Sequence, residues 1–418
     1  MHNSVTQVIM IGDGMGGRPV PSLGGQTCLE AGDYPALDEV ARGGECGYTD
    51  PIGPGQAVGS DTGHMVILGY DPLVHYTGRG PFEAKGVGID VQPGDVAFRC
   101  NFSTVENGIT KDRRAGRITE GTHQLAAAAN EAFSDGIDGV EVIFKESVAH
   151  RAALVLRGEG LDPRVTDVDP HEAGVEVPQC QPTTEASDDP AAQKTAAIIN
   201  RFVQRVQEVL ANHEVNQQRR AAGLPPANIV LPRGAGTAPH LMPFSEQYGL
   251  SGAMIVEVDL VRGLGLYLNM DVINVPEATG GMDTDEMAMA QAVVEAAASH
   301  DFVLCNIKSP DVGGHDGNAE QKMEAIAKVD RAVGHLLNAL DWDSTVLMVT
   351  ADHCTPVTAM DHSGDAIPAA FYGHGVRPDS VQKFGERPFA AGSVHRIHGL
   401  DIMNIMGNYA GTLPKFGA

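Results

Sequence analysis

Short apolar runs, cut by glycine and proline, set the pattern of this chain. Val5-Thr-Gln-Val-Ile-Met-Ile11 is apolar over most of its length and stops at Gly12-Asp13-Gly14, the pattern of a buried strand that opens into a loop. Residues 17–60 are rich in Gly and Pro and predict loops and short pieces. From about 73 to 240 the texture changes. An Ala-rich helix is predicted near 119–133, a strand pair near 139–157 and a long helix near 191–222, while the polar, Pro-containing stretch 160–192 reads as surface loop of an inserted domain and not as core. After about 245 helix and strand alternate: strands over 252–258, 270–275, 301–307 and 345–350, helices over 285–300 and 319–340. That rhythm predicts an α/β fold, a parallel or mixed sheet with helices on both faces. No internal repeat is visible, and no apolar run reaches the roughly 18 residues of a membrane span.

Composition narrows the function. The 418 residues allow two or three domains. With 29 basic and 54 acidic residues the formal net charge is −25, so neither nucleic acid nor an anionic membrane is an expected partner. An anionic substrate would need local positive charge, from clustered Arg or bound metal. The six cysteines are scattered without a Cys-x-x-Cys pair, which reads as free thiols in a reducing compartment. Met1 to Ile11 lacks the basic flank and apolar length of a secretory signal, so the expectation is a soluble cytoplasmic protein.

Three predicted strands run into metal-type ligands. The first reaches Asp13; the strand at 301–307 reaches Asp311, with His315 four residues on; the strand at 345–350 reaches Asp352 and His353, with His362 nine residues further. Ligands of open α/β sheets bind outside the carboxyl ends of the strands, so these segments can converge. Asp with His suits Zn, Mn or related divalent ions. A lone strand-end Asp is usually a turn former and a lone His a satisfied surface or core residue, but three such coincidences together favour a metal site. Gly313 and Gly314 between Asp311 and His315 favour a loop there over a helix. Gly12-Asp-Gly-Met-Gly-Gly17 also fits a dinucleotide fingerprint, but Asp13 would face the pyrophosphate, and Pro19 and Pro21 block the phosphate-binding helix.

Gly59-Ser-Asp-Thr-Gly-His64 precedes an apolar helical run. Ser60 reads either as a helix cap or as a nucleophile whose hydroxyl a helix N-terminus and a metal would activate. Arg79, Arg99, Arg113, Arg114, Arg117 and Arg233 sit beside Gly-rich or turn segments, a pattern suited to bidentate recognition of phosphate or carboxylate, or to plain solvated surface.

Gly59-Ser-Asp-Thr-Gly-His-Met-Val-Ile-Leu-Gly-Tyr-Asp-Pro72, then Tyr76-Thr-Gly-Arg-Gly-Pro-Phe-Glu-Ala84, resembles the archaeal-type cofactor-independent phosphoglycerate mutases of the alkaline phosphatase superfamily. Gly12-Asp-Gly14, Asp311-Val-Gly-Gly-His-Asp-Gly317, Ala351-Asp-His-Cys-Thr-Pro356 and Asp361-His-Ser-Gly-Asp-Ala-Ile-Pro368 match in order and spacing. The resemblance implies an alkaline-phosphatase-like catalytic domain of residues 1–72 and 241–418, interrupted by an α+β substrate-binding cap at 73–240. It implies two divalent ions, Mn foremost with Zn, Co or Mg as alternatives, and no 2,3-bisphosphoglycerate. One ion would use Asp13, Ser60, Asp352 and His353; the other Asp311, His315 and His362. Ser60 would be phosphorylated as 3- and 2-phosphoglycerate interconvert. Arg79, Arg99, Asn101, Arg113, Arg114, Arg117 and Arg233 would hold the substrate in a cap that excludes water, and Lys308 would add charge near the phosphate. Asp112 and His64 are candidate proton carriers. The expected partner is the small-molecule substrate; a homo-oligomer is left open. The alternatives are a metal-dependent phosphomonoesterase or other phosphotransferase on the same scaffold, and a non-catalytic phosphometabolite-binding protein. The sequence departs from the family pattern at Ala351 and Cys354 and at the two histidines His395 and His398, which read as surface or supporting residues.

Overall fold

The apolar run that opens the chain is strand β1, Thr6–Gly12, and it lies in the middle of a sheet. The computed structural model describes residues 5–413 together with Lys415 and Gly417. Among these described residues thirteen strands form in chain order: β1, β2 (Glu45–Asp50), β3 (Val96–Glu106), β4 (Ile109–Asp112), β5 (Glu141–Glu146), β6 (Arg151–Arg157), β7 (Ile229–Gly236), β8 (Gly252–Val256), β9 (Asp271–Ile273), β10 (Phe302–Ile307), β11 (Thr345–Thr350), β12 (Ile367–Gly373) and β13 (His395–His398). The chain divides into two compact units, residues 1–76 with 241–418, and residues 77–240.

The first unit holds an eight-stranded mixed sheet in the order β13-β2-β12-β11-β1-β10-β8-β9. β1 pairs in parallel with β10 on one side and β11 on the other, with Gly12 level with Ile307 and Ile11 level with Thr350. Both faces are covered, which is why these strands read as continuous apolar runs. Val8 and Met10 join one large core with Leu37, Val40, Met289, Val293, Val329 and Val333 from the helices Pro35–Gly43, Glu286–Ala297 and Ala319–Ala339. On the other face the helix Asp259–Tyr267 lies so close that a Cβ at Gly265 would stand 2.7 Å from the Met254 sulfur.

The second unit is built on β3, which pairs antiparallel with β4, β6 and β7, while β5 pairs with β6. Alternation along β3 decides its use. Phe98, Cys100 and Phe102 join the core under the helices Thr122–Ala132 and Pro190–Ala211. Arg99 and Asn101 point to the opposite face.

Several sequence expectations are corrected. The long helix near 191–222 is two helices, Pro190–Ala211 and Glu214–Ala221, because His213 caps the second with its own ring nitrogen. The 17–60 segment contains the helices Cys28–Ala31 and Pro35–Gly43 and the strand β2. The 160–192 stretch is irregular, but Val165, Val168, Asp169 and Cys180 within it are buried, so it closes part of the core. Asp311 and His315 lie on a helix, Ser309–His315, and not on a loop. The glycines that argued for a loop are there for packing: a Cβ at Gly313 would stand 2.7 Å from Lys322 Cα, and one at Gly314 would stand 2.4 Å from the Thr355 carbonyl oxygen.

Candidate functional site

Parallel register brings the carboxyl ends of β10, β1 and β11 side by side, and each strand hands its next residues to one buried cluster. β1 delivers Asp13. β10 delivers Asn306, Lys308 and, on the following helix turn, Asp311. β11 delivers Asp352, His353 and Thr355. Asp13, Asp352 and His353 are wholly buried, and Asp311 nearly so.

The carboxylates are held in different ways. Asp13 accepts from Lys308 Nζ at 2.8 Å and from Asn306 Nδ2 at 3.1 Å. Burial, then the charge of Asp352, pushes the Asp13 carboxyl above its ordinary value against the pull of Lys308. Asp311 lies 2.8 Å from Lys308 Nζ and accepts from Thr355 Oγ1 at 2.7 Å. Burial would raise its carboxyl, but Lys308 and His362 outweigh it and hold it well below the usual range. Asp352 Oδ1 accepts from the amides of Gly14 and His353, both at 3.1 Å, while its Oδ2 has no hydrogen-bond partner.

The three imidazoles share one arrangement. Nδ1 of His362 donates to the Val58 carbonyl at 2.7 Å, Nδ1 of His315 to the Met360 carbonyl at 2.9 Å, and Nδ1 of His353 lies 3.1 Å from Thr355 Oγ1. Their Nε2 atoms therefore face the carboxylates: His315 and His362 each lie 3.5 Å from Asp311, and His353 lies 3.3 Å from Asp352. Burial, then the neighbouring His362, holds the His353 imidazole well below its ordinary value.

These donors fit divalent cations. Three buried carboxylates share a single ammonium among the described residues, one carboxylate oxygen has no hydrogen-bond partner, and three imidazoles turn Nε2 toward the carboxylates. Ligand-type atoms of Asp13, Asp352 and His353 lie within 4.8 Å of one another, as do those of Asp311, His353 and His362, and those of His315, Asp361 and His362. Asp361, an exposed carboxylate, was not singled out in the sequence. Ser60 opens the helix Ser60–Ile67, capped by Gly59, so it is the first helical residue and not the cap. It is buried, with Oγ 3.2 Å from His353 Nε2 and 3.3 Å from Lys308 Nζ. His64 donates Nδ1 to the Ser60 carbonyl at 2.6 Å, and its buried Nε2 has no partner. Behind the cluster, burial pushes the Glu257 carboxyl up to about 7; it accepts from the Lys308 amide and the Thr284 hydroxyl.

The second unit holds a separate cationic cluster. Arg99 on β3 is level with Arg233 on β7, and Asn101 with Arg151 on β6. Burial, then the like charge of Arg79, lowers the Arg99 and Arg233 guanidiniums. Burial, then Arg151 and Arg99, pushes His150 down to about 2. Two expected binding residues are already committed: Arg113 forms a fork on Asp169 at 2.6 and 2.7 Å, and Asn101 donates to Asp169 at 3.1 Å. Asp112 accepts from the amides of Arg114 and Gly116 at 2.8 and 2.7 Å, shaping a turn in which Ala115, Gly116 and Arg117 all take positive φ. Arg114 and Arg117 belong to that turn, the Arg117 amide donating to the Arg114 carbonyl at 2.8 Å. His150, Arg151 and Asp169 carried no sequence signal of their own; His150-Arg151 fell inside the strand pair expected near 139–157. His395 and His398 lie on the edge strand β13, away from the carboxylate cluster in sequence and sheet order.

Residues 185–367 match the type I phosphodiesterase/nucleotide pyrophosphatase family, and residues 41–216 match the family described as 2,3-bisphosphoglycerate-independent phosphoglycerate mutase. A mixed sheet with helices on both faces and Asp and His gathered at the carboxyl ends of its parallel strands defines the class of the chain, an α/β fold with a candidate metal site at the sheet edge. A mutase of this kind from Methanothermobacter thermautotrophicus is 49% identical over 98% of this chain and 99% of its own length, and one from Methanopyrus kandleri is 48% identical over 98% of both. A solved Pyrococcus horikoshii protein superposes with a TM-score of 0.84 at 37% identity, covering 100% of both chains. The cofactor-independent phosphoglycerate mutase of Thermoplasma acidophilum superposes with a TM-score of 0.66 at 36% identity, covering 97% of this chain and 100% of that one. The chain belongs to the family of 2,3-bisphosphoglycerate-independent phosphoglycerate mutases.

Proposed function

We propose that this enzyme interconverts 3-phosphoglycerate and 2-phosphoglycerate through a phosphoserine at Ser60, with two divalent cations held by Asp13, Asp352 and His353 and by Asp311, His315 and His362. The observation that carries the reading is the place of Ser60 Oγ, 3.2 Å from His353 Nε2 and 3.3 Å from Lys308 Nζ, at a helix N-terminus beside three buried carboxylates. When bound, the cations supply positive charge to the phosphoryl oxygens and favour the deprotonated Ser60 hydroxyl.

The residues do the rest. Ser60 Oγ attacks phosphorus; the P–Oγ bond forms, the bond to the glycerate 3-oxygen breaks, and that oxygen takes a proton. Glycerate then presents its 2-hydroxyl, which loses a proton and attacks phosphorus as Ser60 leaves. No water enters and no second phosphate is needed. Lys308 balances negative charge next to Ser60 throughout, and the helix amides behind Ser60 favour its anionic form. The guanidinium cluster around Arg99 and Arg233 provides the counter-charge that a phosphorylated carboxylic acid needs on a chain of net charge −25. Of the two expected proton carriers, Asp112 has both oxygens engaged by backbone amides, whereas His64 keeps a free Nε2 one helical turn from Ser60.

The test is an enolase-coupled assay on chelator-treated protein given 3-phosphoglycerate and Mn2+ without 2,3-bisphosphoglycerate, with inorganic phosphate followed in parallel. The reading expects 2-phosphoglycerate and little free phosphate. Phosphate release without 2-phosphoglycerate would overturn it in favour of a phosphomonoesterase.

A further inference from the structure

Thr355 occupies a socket built with unusual care. Its side chain is wholly buried. Its amide faces the carbonyls of Gly14 and Gly16, both at 3.2 Å, and its own carbonyl accepts from the buried ammonium of Lys322 at 2.7 Å. That same ammonium donates to the carbonyls of Gly14 and Gly16 at 2.8 and 2.9 Å, so the loop carrying Asp13 and the loop carrying Asp352 and His353 are clamped together at this point. Two glycines make the room. A Cβ at Gly14 would stand 2.4 Å from Thr355 Oγ1, and one at Gly314 would stand 2.7 Å from Thr355 Cγ2. The hydroxyl so placed meets Asp311 Oδ1 at 2.7 Å and His353 Nδ1 at 3.1 Å.

Hydrogen counting fixes the direction of these bonds. Asp311 is paired with Lys308 at 2.8 Å and is a carboxylate, which only accepts. The Thr355 hydroxyl therefore donates to Asp311, and its lone pair accepts from the Nδ1 proton of His353. That leaves the His353 Nε2 lone pair unprotonated and aimed at Ser60, Asp13 and Asp352. One hydroxyl thus joins a histidine of one ligand group to an aspartate of the other.

We propose that Thr355 is a positioning residue that fixes the tautomer of His353 and couples the two cation-binding groups. It rests on the metal-site reading above. Outer partners of this kind are typically worth about 10- to 100-fold in metal affinity.

The experiment compares Thr355→Ser with Thr355→Ala in the full chain. Both lose the methyl group, and only the first keeps the hydroxyl. Chelator-treated native protein and both variants are titrated with Mn2+ and, separately, with Zn2+ by calorimetry, and the melting temperature of each metal-free protein is recorded. The expected result is native-like binding for Thr355→Ser, within about threefold, and binding weakened about 10- to 100-fold in Thr355→Ala. Mutase activity of Thr355→Ala should recover at high Mn2+. Equal binding by the two variants, with the native protein binding normally, overturns the role of Thr355 and leaves the metal site standing. A native protein that binds neither Mn2+ nor Zn2+ overturns the metal site and this inference with it. If Thr355→Ala alone melts far lower without metal, a hydroxyl role in folding replaces the proposed one.

Discussion

Ser60 Oγ and His353 Nε2 stand 3.2 Å apart although 293 residues separate them in the chain. The contact exists because the helix that begins at Ser60 and the loop that follows β11 both end at the same edge of the sheet. If Ser60 is the phosphoryl acceptor, Ser60→Ala removes the only atom that can carry the group. The expected loss of mutase activity is on the order of 10^4-fold or more, with the melting temperature changed little. Labelled 3-phosphoglycerate should leave an acid-stable phosphate on native protein and none on the variant.

Among the described residues Lys308 is the one ammonium between Asp13 and Asp311, at 2.8 Å from each. Lys308→Met keeps the length of the side chain and leaves two buried carboxylates without it. The expected cost to the metal-free protein is roughly 3–5 kcal/mol. Cations bound to the folded state offset it by mass action, by about 2.7 kcal/mol at a hundredfold excess over Kd. Melting curves with chelator and with Mn2+ should therefore show a larger rise on adding metal in the variant than in native protein. An equal rise in both would refute the assignment of these carboxylates as ligands.

Gly314 lies inside the helix Ser309–His315, where Gly→Ala normally gains about 1 kcal/mol of helix propensity. Here the sign should reverse. The added Cβ would stand 2.4 Å from the Thr355 carbonyl and must displace the backbone beside His353. Gly314→Ala is expected to destabilise by about 1–3 kcal/mol and to lower activity together with stability. Urea unfolding of the metal-free protein checks it; a stabilised variant would mean that this packing is looser than described.

Asp169 anchors the arginine unit, its side chain fully buried under Arg113 and 3.6 Å from Arg233. Burial raises its carboxyl, but the hydrogen bonds and charge of Arg113, with Arg233, outweigh it and hold it below its ordinary value. A carboxyl lowered on folding stabilises fully above its unfolded value of about 3.9, and that stabilisation fades as pH falls through the folded value. Asp169→Asn should cost about 3 kcal/mol at neutral pH, and the gap to native protein should narrow below about pH 4. Unfolding free energies at pH 7 and pH 3.5 decide this, since a gap independent of pH would mean the Asp169 charge is not what holds the cluster.

Much of the first unit is legible in one dimension. The runs that became β1, β10 and β11 are apolar without alternation because both sheet faces are covered, and Asp13, Asp311, Asp352 and His353 follow them at fixed short offsets. Strand type and site placement are local properties there, so the order of residues carries them. The helix Ser309–His315 is different: glycine propensity argued for a loop, and only the crowding by Lys322 and Thr355 shows why glycines had to stand in a helix. The helices and strand within residues 17–60 were hidden in the same way, because proline and glycine punctuate the segment and leave few periodic positions between.

What the sequence by itself determined is the class of fold, the family, the ligand-type residues and the acidity that demands a local cationic cluster. What only the tertiary structure decided is which of these groups meet. The second unit shows it best. Asp169 and the pair His150-Arg151 lie in separate segments with no motif; pairing of β3 with β6 sets Arg151 level with Asn101, and the backbone amides of Val168 and Asp169 on the Pro232 carbonyl of β7 bring Asp169 to Arg113. Strand register is set by the burial of whole faces, summed over many residues, and such a sum cannot be read from the few residues whose chemistry it brings together.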